Sequence, residues 1–203
     1  MHSEKVDVQD SLGATALLGA GIGEQVSVTG RYDVICLDAE GNLKWEENFS
    51  NYVMNLGKAN LLNVYLNAST PTTVWYLSLV DNASFTSYNT ATDTLASHSG
   101  WLENINYTYG GSSSNRATVS WAAAASSTGG GADTAGTGTI TSNQATFLIT
   151  ASVTIKGALL CATQARGTTT NGGAGLLYSA GSFATARAVI SGDQLLVTYT
   201  AQS

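Results

Sequence analysis

Apolar and polar residues first settle into a clear rhythm at Gln25. Val26, Val28, Tyr32, Val34 and Cys36 all fall on even positions, the period-2 alternation of a half-buried strand. Asp38-Ala39-Glu40-Gly41-Asn42 then reads as a turn, with Gly41 free to take a positive φ. Leu43, Trp45 and Phe49 mark a return strand, so the pair predicts a hairpin. Further on, strands are predicted over 106–109, 116–122, 144–149, 152–160, 176–178, 186–190 and 194–199, with Gly192-Asp193 as the turn before the last.

One segment departs from the β rhythm. From Tyr52 to Leu66 the spacing predicts a helix, with Ser50 or Asn51 as its N-cap. Met54, Leu61 and Tyr65 form its apolar stripe, with Leu62 and Leu66 beside it. Lys58 interrupts the stripe and lays its stem along it, and Gly57 permits a close approach to a sheet. The segment 67–71, with the only proline of the chain, ends the helix. Thr72–Val80 follows as a strand with apolar residues on both faces: Val74 and Tyr76 on one, Trp75, Leu77 and Leu79 on the other. Such a strand is central, or is covered by the helix. The short connection predicts that Trp75 and Trp101 are buried together against the 52–66 helix, each worth about 3–5 kcal/mol on truncation to Ala.

Together these elements predict a mainly β fold. The expected architecture is an antiparallel β-sandwich, jelly-roll-like, with one α-helix and an extended N-terminal arm. Residues 1–24 are the arm and 25–203 a single domain. Stretches 126–138 and 163–174 are low-complexity polar loops rich in Gly, Ser and Thr. Truncation of the arm is expected to leave the domain folded.

Composition alters this picture in one respect. Only 11% of residues are charged, less than half the usual share, so Ser, Thr, Asn, Gln and Gly must supply the polar surface. Little charge repulsion then opposes dense packing against identical neighbours, although a Thr/Ser-rich secreted β domain has the same composition. The net charge of −6 and the scattered basic residues argue against direct nucleic-acid binding. The N-terminus lacks a signal-peptide pattern, and the apolar run 14–22 is too short and Gly-broken to span a bilayer, so a soluble cytoplasmic product is expected.

Candidate chemistry is sparse. Cys36 and Cys161 fit no zinc or redox spacing, and their strand contexts favour buried free thiols over a disulfide. Gly19-Ala20-Gly21-Ile22-Gly23 superficially resembles a nucleotide loop, but no strand precedes it and strand residues follow. Asp38 with Glu40, and Glu46 with Glu47, pair carboxylates without a third ligand, which favours a solvated turn over acid–base or metal chemistry. Ser97-His98-Ser99 lacks a placed acid and a nucleophile elbow. Trp101 is expected to anchor that loop in the core, and Trp45, Trp75 and Trp121 also sit in apolar patterns. No catalytic, cofactor or metal residue is therefore assigned, and no hydrolase activity is expected.

Five blocks carry a resemblance: GRYDVICLDAEGNLKW at 30–45, NYVMNLGKANLL at 51–62, TTVWYLSLV at 72–80, LASHSGWLE at 95–103 and SGDQLLVTYT at 191–200. In this order they resemble a family of virion structural proteins of tailed bacteriophages, over residues 30–200. The resemblance implies a non-enzymatic particle component without cofactors. Its first form is a capsid decoration (cement) protein made in the host cytoplasm and carried on the capsid exterior. Its expected partners are the major capsid protein and copies of itself, as a dimer or trimer. A tail or head–tail junction protein is the alternative within the particle. A carbohydrate-binding β domain is the alternative outside it.

Overall fold

The computed structural model describes residues 28–126, 138–166 and 175–203. The N-terminal arm, the glycine run 19–23, Val26 and most of both low-complexity loops lie outside the described residues.

The described residues form twelve strands and one helix. The hairpin is present as β1 (Thr29–Leu37) and β2 (Leu43–Val53), with Gly41 at φ 87° in its turn. Helix α1 (Asn55–Leu66) follows, then β3 (Trp75–Asp81). Short strands come next: β4 (Leu102–Glu103), β5 (Tyr107–Thr108), β6 (Ala117–Val119), β7 (Ala125–Ser126) and β8 (Gly138–Thr141). The chain closes with β9 (Ala145–Ile149), β10 (Val153–Cys161), β11 (Leu177–Val189) and β12 (Gln194–Gln202).

All pairings are antiparallel, in one large open sheet ordered β4-β3-β10-β11-β2-β1-β12-β8-β7. β6 also pairs with β3, β9 with β12, and β5 with β9. β2 joins the two halves of the sheet. Residues 43–50 pair with β1, whereas Asn51–Val53 pair with Ser179–Gly181 of β11. The segment between β6 and β7 runs on alongside β8. Ala122 N–H donates to the Thr141 carbonyl at 2.9 Å and Asn143 N–H to that of Ser120 at 2.7 Å.

Alternation decides what is buried. Tyr32, Val34 and Cys36 of β1 turn inward, as do Leu195, Val197 and Tyr199 of β12. They share one core with Leu77 and Leu79 of β3, Ala158 and Leu160 of β10, and Phe183 of β11. Residues from both halves of the sheet thus contribute to one core. The opposite faces of β3, β10 and β11 build a second, smaller cluster from Val80, Leu159, Cys161, Leu177 and Ala180. Leu95 and Trp101 cover it from the loop that follows β3, together with Met54. This explains the double-faced apolar pattern of β3: Trp75, Leu77 and Leu79 serve the main core, Tyr76 and Val80 the outer cluster. Cys36 and Cys161 are buried and free, one in each cluster.

Three expectations need correction. The helix begins at Asn55, not Tyr52, because 50–53 belong to β2; Met54 is the N-cap and no side chain caps the helix. Trp75 and Trp101 do not meet against the helix. Trp101 is 1% exposed in the outer cluster, whereas Trp75 is half-buried against the main core with its ring 5.2 Å from that of Tyr178. The segments 176–178 and 186–190 are not separate strands but largely fall within one continuous 13-residue strand, Leu177–Val189.

Candidate functional site

The helix is seated by its glycine. A Cβ at Gly57 would lie 2.6 Å from the Tyr178 carbonyl oxygen, which itself accepts from Met54 N–H at 2.9 Å. Only a residue without a side chain lets the first helical turn rest on β11 there. Gly57 is the one buried residue of α1. At 3.6 residues per turn, Val64 returns to the same side and Leu66 points directly away.

The expected inward stripe is therefore split. Met54 is buried, but Leu61 is 37% exposed and Tyr65 86%. Leu56, Leu62 and Leu66 also remain exposed, at 45%, 49% and 75%. Of the ten large apolar side chains left exposed among the described residues, seven lie between Tyr52 and Val74. A helix apolar on nearly every side belongs in an interior, yet the described residues cover this one on one side only. Lys58 is the only charged residue from Tyr52 to Val80. It makes no ion pair among the described residues.

Beside the helix runs a groove of about 330 Å³. Leu61 and Val64 of the helix line it together with Trp75, Trp121, Ile140 and Tyr178. Groove and helix together make a neutral apolar surface beside the junction of β2 and β11.

The other sequence candidates are engaged in the fold. Asp38 Oδ1 accepts from the N–H groups of Glu40 at 3.1 Å and Asn42 at 2.7 Å, and hydrogen bonds from the side chain and backbone of Asn42 hold its carboxyl below the usual range. Glu46 and Glu47 are neighbours on a strand and point to opposite sides. Glu47 pairs with Arg187, whose guanidinium lies over Trp45. His98 stacks on Trp101 with ring centroids 3.6 Å apart, and its Nδ1 donates to the Trp101 carbonyl at 2.8 Å. Trp101 Nε1 in turn donates to Asp93 at 2.9 Å. The imidazole thus braces the loop that Trp101 anchors. Burial pushes both thiols up to about 11, so neither is a nucleophile at neutral pH. Among the described residues no group of three or more His, Cys, Asp or Glu could hold a metal ion.

A buried ionic network escaped the sequence reading. Glu103 and Arg116, both without exposed side-chain surface, form a two-pronged pair at 2.7 Å in each arm. Ser78 donates to Glu103 at 2.5 Å and shares a 2.7 Å hydrogen bond with Tyr107. Arg116 Nη1 donates to the carbonyls of Thr163 and Ala165, at 2.8 and 2.9 Å. Arg166 stacks on Tyr107 at 3.8 Å and donates to the Ser113 carbonyl. The network locks segments 103–116 and 163–166 together. Alternation around Arg116 was visible in the sequence, but nothing in it paired that residue with Glu103.

Comparison of the chain with protein-family models, with curated proteins and with solved structures returns no match.

Proposed function

We propose that this chain is a non-enzymatic virion structural protein of a tailed phage, a capsid decoration (cement) protein that bridges capsomers and stabilises the filled head. One observation carries the reading: the most conspicuous surface is a neutral, apolar helix face with an adjoining groove, not a cleft of titratable groups. Exposed apolar surface concentrated in one place marks a contact site for protein. The five sequence blocks that resemble virion proteins support the same reading. The two halves of the sheet, read as a jelly-roll-like sandwich, supply a stiff body. Low surface charge suits a repeated array. Several weak contacts to neighbouring capsomers would combine through effective concentration into firm attachment. The major capsid protein is the partner on this reading, and the capsid exterior is the location.

The test is to add purified chain to heads that lack it, then to map bound copies by electron microscopy and challenge the heads by heating. Copies at capsomer junctions and heads that resist rupture are expected. Copies confined to the tail or neck would replace decoration by the junction role.

A second reading, glycan binding, draws on the half-buried Trp75 and Trp121 in the groove. Binding on a glycan array that is lost in Trp121→Ala would establish it.

A further inference from the structure

We infer that the exposed face of α1 is a homodimer contact, in which the helix packs antiparallel against the same helix of a second copy, centred on Leu62. This inference rests on the exposed helix and not on the virion reading.

The first argument is chemical match. Each copy carries a net charge of −6, so two copies meet most easily where carboxylates are missing. No Asp or Glu lies between Tyr52 and Val80. Another copy of this chain is therefore a partner whose surface is known to be neutral and apolar at the contact.

The second argument is shape. A two-fold axis at Leu62 places residue 59 opposite residue 65, and residue 58 opposite residue 66, because their numbers sum to twice 62. Ala59 then leaves room for Tyr65, the most exposed apolar side chain of the helix. Lys58 comes over the Tyr65–Leu66 end of the mate, where its stem covers Leu66 and its ammonium reaches the Tyr65 ring. The two Lys58 ammonium groups stay at opposite ends of the contact. A parallel pairing would bring them together.

The third argument is area. The helix face centred on Leu62 offers Leu62, Tyr65 and Leu66, at most on the order of 400 Å² per copy, about half the ~800 Å² per partner of a standard interface. The dimer is therefore weak and reversible.

Sedimentation equilibrium of the full chain tests the inference. A reversible dimer is expected, and Leu62→Glu should raise its dissociation constant by at least roughly tenfold while the circular dichroism spectrum stays unchanged. Leu62→Cys is the second variant. Under mild oxidation it should form an intermolecular disulfide, since Leu62 sits on the axis, whereas the buried native thiols stay silent. A monomeric wild type, or a dimer untouched by both substitutions, overturns the inference whether or not the chain binds heads. A dimer broken by Leu62→Glu supports it even if the chain binds no particle, an outcome that would count against the decoration reading alone.

Discussion

The Glu103–Arg116 network and the outer face of α1 break the same rule in opposite directions. In the first, full charges lie where apolar groups belong; in the second, leucines lie where charges belong. The buried pair is satisfied within the chain: Arg116 reaches both carboxylate oxygens and two carbonyls, and Ser78 takes another lone pair of Glu103. Among the described residues the leucines have no such partners. An inversion answered internally serves the fold, while the other leaves apolar surface open among the described residues.

The largest expected effect breaks the internal answer. Arg116→Met should cost about 3–5 kcal/mol in urea melts, because Glu103 is left as an uncompensated buried charge. Glu103→Leu with Arg116→Met should recover most of that loss, since the desolvation cost leaves with the charges. A double variant as unstable as the single would mean that the carbonyl contacts of Arg116, not its pairing, dominate.

Alkaline pH probes the same interior more gently. Burial raises the Cys161 thiol to about 11, so the folded state favours the protonated form. Its contribution is complete below the pKa of the unfolded thiol and is lost as pH rises through about 11. At two units of difference this is about 3 kcal/mol. Burial raises Tyr32, Tyr107 and Tyr199 as well, and these act in the same direction at higher pH. Stability measured by urea melts should therefore fall steadily above about pH 9. Cys161→Ala should flatten the first part of that decline.

Gly57→Ala tests the seat of the helix. Helix propensity would favour Ala by up to about 1 kcal/mol. Against it stands a Cβ 2.6 Å from a backbone oxygen already held by Met54, so the clash should win by about 1–3 kcal/mol. A stabilised variant would mean that the helix can lift off β11.

Leu66→Ser should be the mildest change, within about 0.5 kcal/mol for the monomer in thermal melts. A large loss would mean that Leu66 is covered by the chain's own residues, and would remove the contrast between the two regions.

Much of the fold was legible because period-2 alternation reports burial directly. The β1–β2 hairpin, the end of α1 and the two faces of β3 all read correctly from residue order. Failures came where long-range pairing overrode local preference. Ser50 and Asn51 look like helix caps, but β1 and β11 claim them as strand partners. Ser179-Ala180-Gly181-Ser182 looks like a break, yet these small residues let β2 and β10 flank the strand closely. The orientation of α1 was illegible for a different reason. Apolar residues nearly surround it, so no stripe points inward, and only the room left by Gly57 selects the buried side. β4, β7 and β8 are two to four residues long, too short for a periodicity to show.

The position of β1 constrains how the molecule can come into being. Its partner on one side, β2, follows at once, but Thr29–Leu37 also pairs along its whole length with Gln194–Gln202. During translation β1 therefore waits, with one edge of donors and acceptors unmet, until β12 has emerged from the ribosome. Loop closure over so many residues is slow, and a nascent chain in that condition invites strand exchange with its neighbours on the same message. Refolding yield should then fall as the protein concentration rises.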